Sequence, residues 1–261
     1  VERPATADGA PKVEHVIAKR VVVARGPTSR RQWPGFYEAL DETERAAIVH
    51  AWDIIDRNET EALYPKRRWA EGSAEVRAVK PGHAVAVIGG GLTSAHLCSL
   101  LDARGCEDIH LFLRKPYQTK QYDLTLPWMG SERWKSRRDF ENLPVKDRMQ
   151  VIKGAREGGS ISPEMTAVVR ALEEKGVLTL HEEEEIIAAK YCKSGEECDW
   201  RQEGGGDDEK QADACAAGWE LATSLGTTMR ADHLWCATGA LMNSQTDPLL
   251  AGLRAAEAVE I

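Results

Sequence analysis

The stretch Val85–His96, VAVIGGGLTSAH, constrains the chain more than any other. Small and β-branched apolar residues stopped by glycine read as a buried strand, here His83 to Gly89. Leu92 to Arg104 then reads as a helix ended by Gly105. Three glycines therefore sit between the carboxyl end of a strand and the amino end of a helix. Gly89 permits the tight turn, Gly90 carries it on, and Gly91 keeps side-chain atoms away from whatever approaches the helix. The amides of Leu92, Thr93 and Ser94 open that helix, where unpaired N–H groups and the helix dipole favour an anion.

The next strand, Ile109 to Arg114 (IHLFLR), completes a βαβ unit. In that setting G-x-G-x-x-S is the dinucleotide fingerprint, with Ser94 standing where a third Gly or Ala is usual. Serine is small enough to keep helix and strand close. The competing reading is a tight turn in an unrelated α/β protein. The tip of the second strand weighs against it. An acid there would hold a ribose 2′-hydroxyl, but the chain has Arg114-Lys115, with Lys120 close behind. Guanidinium and ammonium groups pair with a 2′-phosphate, which favours NADPH over NADH; the alternative is a solvated basic loop end.

Elsewhere the pattern is that of an α/β, Rossmann-like domain with a central parallel sheet and a strand meander. His15 to Ser29 reads as a strand stopped by Gly26-Pro27. LDETERAAIVHAWDIID reads as one helix, with Asp41 as cap, Glu44 closing a capping box, and Ala47, Ile48, Ala51, Trp52 and Ile55 on one face. Residues 57–81 are a polar connection. Residues from Lys115 to Phe140 read as loop with short helical turns, and a helix is expected from near Pro144 to about Glu157. Ser162 caps another that starts at Pro163 and runs to Lys175. Strands follow in VLTLHEEEEIIAAKYC, WELATS and ADHLWCATG. Between the first two, residues 194–218 form an acidic, glycine-rich insertion, expected to be disordered. Ala237, Thr238 and Gly239, ending the last strand, let backbone approach a nucleotide or a domain junction.

Composition narrows the partners. With 42 acidic residues against 34 basic ones and a net charge of -8, a broad nucleic-acid surface is not expected. No apolar run nears the roughly 18 residues that cross a bilayer, so no membrane partner is expected. The opening residues VERPATADGAPKVEH carry neither a basic leader nor an apolar signal core, which fits the cytoplasm or an organelle lumen. Six cysteines, Cys98, Cys106, Cys192, Cys198, Cys215 and Cys236, form no C-x-x-C pair and read as free or structural. Tyr122, Trp128 and Trp134 read as packing rather than a channel, and Arg133, Lys135, Arg137 and Arg138 as a solvated face. His96 and His181 lack neighbours at ligand spacing. Glu182 to Glu185 read as a strand edge in water, since successive strand residues point to opposite faces. No metal site is expected.

These marks together resemble a known family. VAVIGGGLTSAHL, then IHLFLRK, a helical region, a meander and HLWCATG, resemble the NAD(P)H domain of two-dinucleotide-domain flavoproteins. Nearest are the flavin-dependent monooxygenases that N-hydroxylate lysine or ornithine. The likeness covers roughly Val13 to Leu253. It implies that NADPH delivers hydride to FAD and that one oxygen atom reaches a nucleophilic substrate. It makes Ala18–Ser29 resemble the FAD-domain strand that usually ends Ala-Thr-Gly-Pro, with Arg25 in the Thr position. It also implies three segments: a FAD-domain remnant at 1–80, the NAD(P)H domain at 81–240, and a return toward the FAD domain at 241–261. No FAD fingerprint precedes Ala18, so FAD is expected of the parent family and not of this chain alone. Two other readings remain open: a non-catalytic nucleotide-binding remnant that has lost flavin, and an S-adenosylmethionine-dependent methyltransferase.

Overall fold

In this computed structural model the described residues are 30–56, 78–122, 124–156, 158–194 and 217–241, with Lys19 and Ala255. Two compact units divide the chain, one of residues 1–30 with 241–261 and one of residues 31–240. Almost all of the first lies outside the described residues, as do all but Lys19 of the expected strand at 15–29, residues 57–77 of the expected 57–81 connection and most of the acidic insertion. The expected boundary at residue 80 falls inside the second unit.

Strand β1 (Arg30–Arg31) leads into a short 3-10 turn at Gly35–Ala39 and then α1 (Glu42–Ala47). Asp41 and Glu44 form the expected capping box, with Asp41 accepting from the Glu44 amide at 2.8 Å and Glu44 from the Asp41 amide at 2.8 Å. The helix does not run on to Asp56. Ile48 turns to extended backbone, β2 (Val49–His50) intervenes, and α2 (Ala51–Asp56) follows. The reason is tertiary. β-branched Val49 and buried His50 pair in parallel with Trp235 and Cys236, so the local helical pattern yields to a place at the sheet edge.

The core elements are β3 (Ala84–Ile88), α3 (Leu92–Ala103) and β4 (Asp108–Leu113). They are followed by α4 (Leu126–Met129), α5 (Arg133–Asn142), α6 (Val145–Arg156) and α7 (Pro163–Glu174). The region expected as loop thus holds a ten-residue helix, α5, supported by an Arg137–Glu141 pair one turn apart at 2.8 Å. The Ser162 hydroxyl caps α7 by accepting from the Met165 amide at 3.3 Å. Next come β5 (Leu178–Glu182), β6 (Ile186–Cys192), β7 (Gly218–Thr223), β8 (Thr228–Ala231), β9 (His233–Cys236) and β10 (Ala240–Leu241). ADHLWCATG is therefore shared between two strands, broken at Asp232, whose carboxylate accepts from the Ala84 amide at 2.8 Å.

The central sheet has the order β2-β9-β3-β4-β5, every pair parallel, and β6-β7-β8 form an antiparallel meander. Strand alternation sorts its side chains onto two faces. Val85, Val87, Ile109 and Leu111 join Leu97, Leu101, Val169 and Leu172 in one apolar cluster. Ala86, Ile88, Phe112, Leu234 and Cys236 join Trp219, Leu221 and Ile186 of the meander in the other. Helices cover one face and the meander the other.

His50 is fully buried where the first described segment meets the last. Its Nε2–H donates to the Gly239 carbonyl at 3.1 Å, and its Nδ1 accepts from the Trp52 amide at 3.2 Å. Those bonds fit the neutral ring and leave no place for a second proton. Burial, then the nearby Arg31 guanidinium, lowers its pKa from the ordinary 6.5. A lowered folded value means that the unfolded chain takes up the proton first. The stability involved is complete above 6.5 and lost as pH falls through the folded value. The urea midpoint should therefore fall between about pH 7 and about pH 5, and His50→Gln should flatten that dependence. An unchanged slope in the variant would show that His50 is not the titrating group.

Candidate functional site

The turn after β3 is held from both neighbouring strands. The Ala237 amide donates to Ile88 O at 2.8 Å, and the Gly89 amide donates to Phe112 O at 3.1 Å. Gly89 has φ +147°, and a Cβ there would lie 2.5 Å from Ala237 O and 2.9 Å from its carbon. Only glycine fits. At Gly90 a Cβ would make ordinary contact, 3.5 Å from Leu113 Cδ2. Gly91 is the N-cap of α3, with extended backbone. Its carbonyl accepts from both the Ser94 amide, at 3.1 Å, and the Ser94 hydroxyl, at 2.7 Å. Ser94 is completely buried, and its hydroxyl finds its partner within the turn. Its amide is turned inward as well. Leu92 and Thr93, exposed in the first turn, keep the amides that have no partner inside a helix.

Past the end of β4, Arg114 and Lys115 are exposed, and among the described residues neither forms an ion pair. With Gly90, Pro116, Gln118, Gly158 and Gly159 they line a cleft of about 430 Å³. The fold thus brings the glycine turn and the basic strand tip to one opening, with no carboxylate among the described residues that line it. Arg114 also lines a smaller recess of about 60 Å³, which includes Thr238, Glu184 and Glu185.

Ala237, Thr238 and Gly239 lie on the other side of Gly89. Thr238 donates its hydroxyl to Gln32 O, and Gly239 O accepts from the Gln32 amide at 3.0 Å and from His50. Gly239 takes φ +81°. Thr238 and Gly239 bind the segment at Gln32 to the end of the sheet, and none of the three lines the larger cleft.

Other candidates fall away from it. Trp128 packs edge-on against Phe140 at 5.9 Å, Trp134 is 62% exposed under Arg133, and Tyr122 is 59% exposed. The basic residues of α5 face solvent. Residues 182–185 are not a continuous strand edge. Glu183 has φ +56°, and Glu184 is buried. The Thr223 hydroxyl, above all, holds the Glu184 carboxyl below the usual carboxylate range. His181 does have partners: Nδ1 donates to Glu184 at 2.9 Å, and Nε2 meets His110 Nδ1 at 3.0 Å. Cys98, Cys106, Cys192 and Cys236 are buried, and burial pushes the Cys98 thiol up to about 12, far from a reactive thiolate. Cys198 and Cys215 lie outside the described residues. Among the described residues no metal-binding cluster forms, and no helix is long and apolar enough to cross a membrane.

Reading the sequence missed Gly158 and Gly159. A Cβ on Gly159 would lie 2.8 Å from Gly90 O and 3.1 Å from Gly91 Cα, so this backbone rests directly on the glycine turn. The available signal was the doubled glycine before Ser160. The contrast within the turn itself can be measured by chemical denaturation. Gly89→Ala should destabilise by about 3 kcal/mol, combining a disfavoured backbone with overpacking. Gly90→Ala should change stability by less than about 1 kcal/mol; similar losses at both positions would contradict the close approach to Ala237.

No family model and no curated protein sequence matches the chain. Solved structures do. L-lysine 6-monooxygenase from Pseudomonas syringae aligns with a TM-score of 0.53 at 14% identity, over 87% of this chain and 47% of that one. The FAD-bound cadaverine monooxygenase of desferrioxamine biosynthesis from Erwinia amylovora aligns with a TM-score of 0.51 at 17% identity, over 88% and 46%. The reduced ornithine hydroxylase of Pseudomonas aeruginosa gives 0.52 at 13% identity, over 87% and 47%. The chain spans about half the length of these proteins. At such identities the likeness is one of fold, shared with a lysine monooxygenase, a cadaverine monooxygenase and an ornithine hydroxylase.

Proposed function

We propose that the chain holds NADPH in the cleft between Gly90 and Arg114-Lys115, as the hydride-supplying part of a flavin-dependent, monooxygenase-like oxidoreductase. One observation carries this reading: the glycine turn shares an opening with Arg114 and Lys115, and among the described residues that line it there is no carboxylate. The residues fit a dinucleotide. Gly90 and Gly91 leave the approach to α3 open, and the first two amides of that helix can donate to a pyrophosphate. Arg114 and Lys115 supply charge-assisted donors for a 2′-phosphate. The nucleotide, when bound, supplies a hydride. The part of this chain is to fix its phosphates, and with them the direction in which the nicotinamide end points. Among the described residues there is no second glycine-rich strand-to-helix turn for FAD, so no flavin contact is given to any residue. The fold shared with lysine, cadaverine and ornithine monooxygenases supports the oxidoreductase class.

Calorimetric titration of the purified chain tests it. Wild type should bind NADPH more tightly than NADH. Arg114→Glu should weaken NADPH at least about ten-fold, the loss of a charge-assisted pair, and NADH by less than about two-fold. Equal loss for both nucleotides would sink the 2′-phosphate role of Arg114, and absence of NADPH binding by wild type would sink the reading itself.

A further inference from the structure

We propose that Gly158–Ser160 forms a second wall of the dinucleotide site, in which the backbone amides of Gly159 and Ser160 donate to the pyrophosphate beside the amino end of α3. This rests on the cleft being the NADPH site. Three observations carry it. First, the segment touches the glycine turn, since a Cβ on Gly159 would stand 2.8 Å from Gly90 O, 3.0 Å from Gly90 C and 3.1 Å from Gly91 Cα. Second, the segment is anchored immediately beyond the glycines. Ile161 is fully buried in the helix-side core, its amide donates to Gln118 O at 2.9 Å, and its carbonyl accepts from the Lys120 amide at 2.9 Å. Thr119 pairs with Ile161 as an isolated parallel bridge, and its hydroxyl meets that of Thr166 at 3.0 Å. Third, Gly158 and Gly159 line the same cleft as Arg114 and Lys115, and among the described residues no acceptor pairs with the amides of Gly159 and Ser160.

Backbone groups that must be satisfied, held on a rigid segment beside a helix amino end, suit an anion and cannot read a base. Their chemistry also differs from that of the strand tip. Arg114 and Lys115 answer a 2′-phosphate, present in NADPH alone. Neutral amides answer the pyrophosphate, which NADPH and NADH share. Glycine is required at 159 because any side chain would displace the Gly90 carbonyl and with it the turn. The doubled glycine late in the chain and the triple glycine early in it would thus serve the same phosphates from two sides of one opening.

The test uses the full chain with three probes: NADPH, NADH and adenosine 2′-phosphate, which lacks the pyrophosphate. Gly159→Ala should weaken both dinucleotides by about ten-fold or more, as expected for lost hydrogen bonds to charged groups, and leave adenosine 2′-phosphate unchanged. Gly154→Ala, on α6 with open space around it, should alter none of the three. In wild type, hydrogen exchange at Gly159 and Ser160 should slow with NADPH and not with adenosine 2′-phosphate. Undiminished dinucleotide binding by Gly159→Ala would overturn the proposal, as would equal loss of all three probes or unprotected amides in the NADPH complex. Should Gly159→Ala fail to fold, exchange in wild type decides alone. Failure of wild type to bind either dinucleotide would overturn the site itself; normal binding with unprotected amides would overturn only this second wall.

Discussion

The missing Cβ at Gly89 is the constraint on which the rest of this arrangement depends. With hydrogen there, the end of β9 comes close enough for Ala237 to lie 2.5 Å from where a side chain would begin. The parallel register can then continue to the last residue of β3, with Ile88 opposite Cys236 on one side and Phe112 on the other. Three strands end level. Because Phe112 is fixed beside Ile88, Arg114 and Lys115 emerge two and three residues later next to the glycine turn, as their shared cleft shows. Because Ala237 is fixed against Gly89, Thr238 and Gly239 are in position to hold Gln32 and His50. A side chain at 89 would therefore disturb the strand ends, the basic tip and the junction together.

The two faces of the sheet divide the work of holding that level end. On the helix side, α3 and α7 pack over β3 and β4 through Leu97, Leu101, Val169 and Leu172, which sets the axis along which α3 presents its first amides. On the other side the meander presses Trp219, Leu221 and Ile186 onto Ala86, Ile88 and Phe112. Buried Glu184 ties the two layers. Its amide donates to Leu113 O at 3.0 Å, while its carboxylate accepts from His181 at 2.9 Å. A carboxylate in that place tolerates burial only because donors surround it.

Features set by neighbouring residues were legible in the sequence, and features set by distant ones were not. The strand, glycines and helix at 83–105 follow from local backbone chemistry, as do the capping box at Asp41 and the Ser162-Pro163 start of α7. All three were readable. The break at Val49–His50 was not, because the pattern around it suits a helix and the deciding partner is Trp235–Cys236, far along the chain. The run of four glutamates reads as solvated charge, yet Glu184 is buried by Thr223 and His181, neither of which the run itself reveals. Gly159 stood in view as half of a doubled glycine, but its reason is an approach to Gly90 that no local pattern encodes. Helix α5 lay under aromatic and basic residues without clean period, where intrahelical pairs rather than a buried stripe support it.

The charge around the cleft is set locally. The chain as a whole is acidic, with a net charge of -8, and would repel a phosphate-rich ligand at long range. Within about a Debye length, however, local groups outweigh the total. Among the described residues the lining of the cleft carries Arg114 and Lys115 and no carboxylate, whereas Glu184 and Glu185 line a separate recess that Arg114 shares. Arg114 therefore borders both openings, the one with Glu184 and Glu185 and the one whose described lining holds no carboxylate. Glu184 has little left to offer that guanidinium, because its oxygens are already engaged by Thr223 and His181. The hydrogen bonds that bury Glu184 thus do more than fasten the meander: they occupy one of the two carboxylates that share a recess with Arg114.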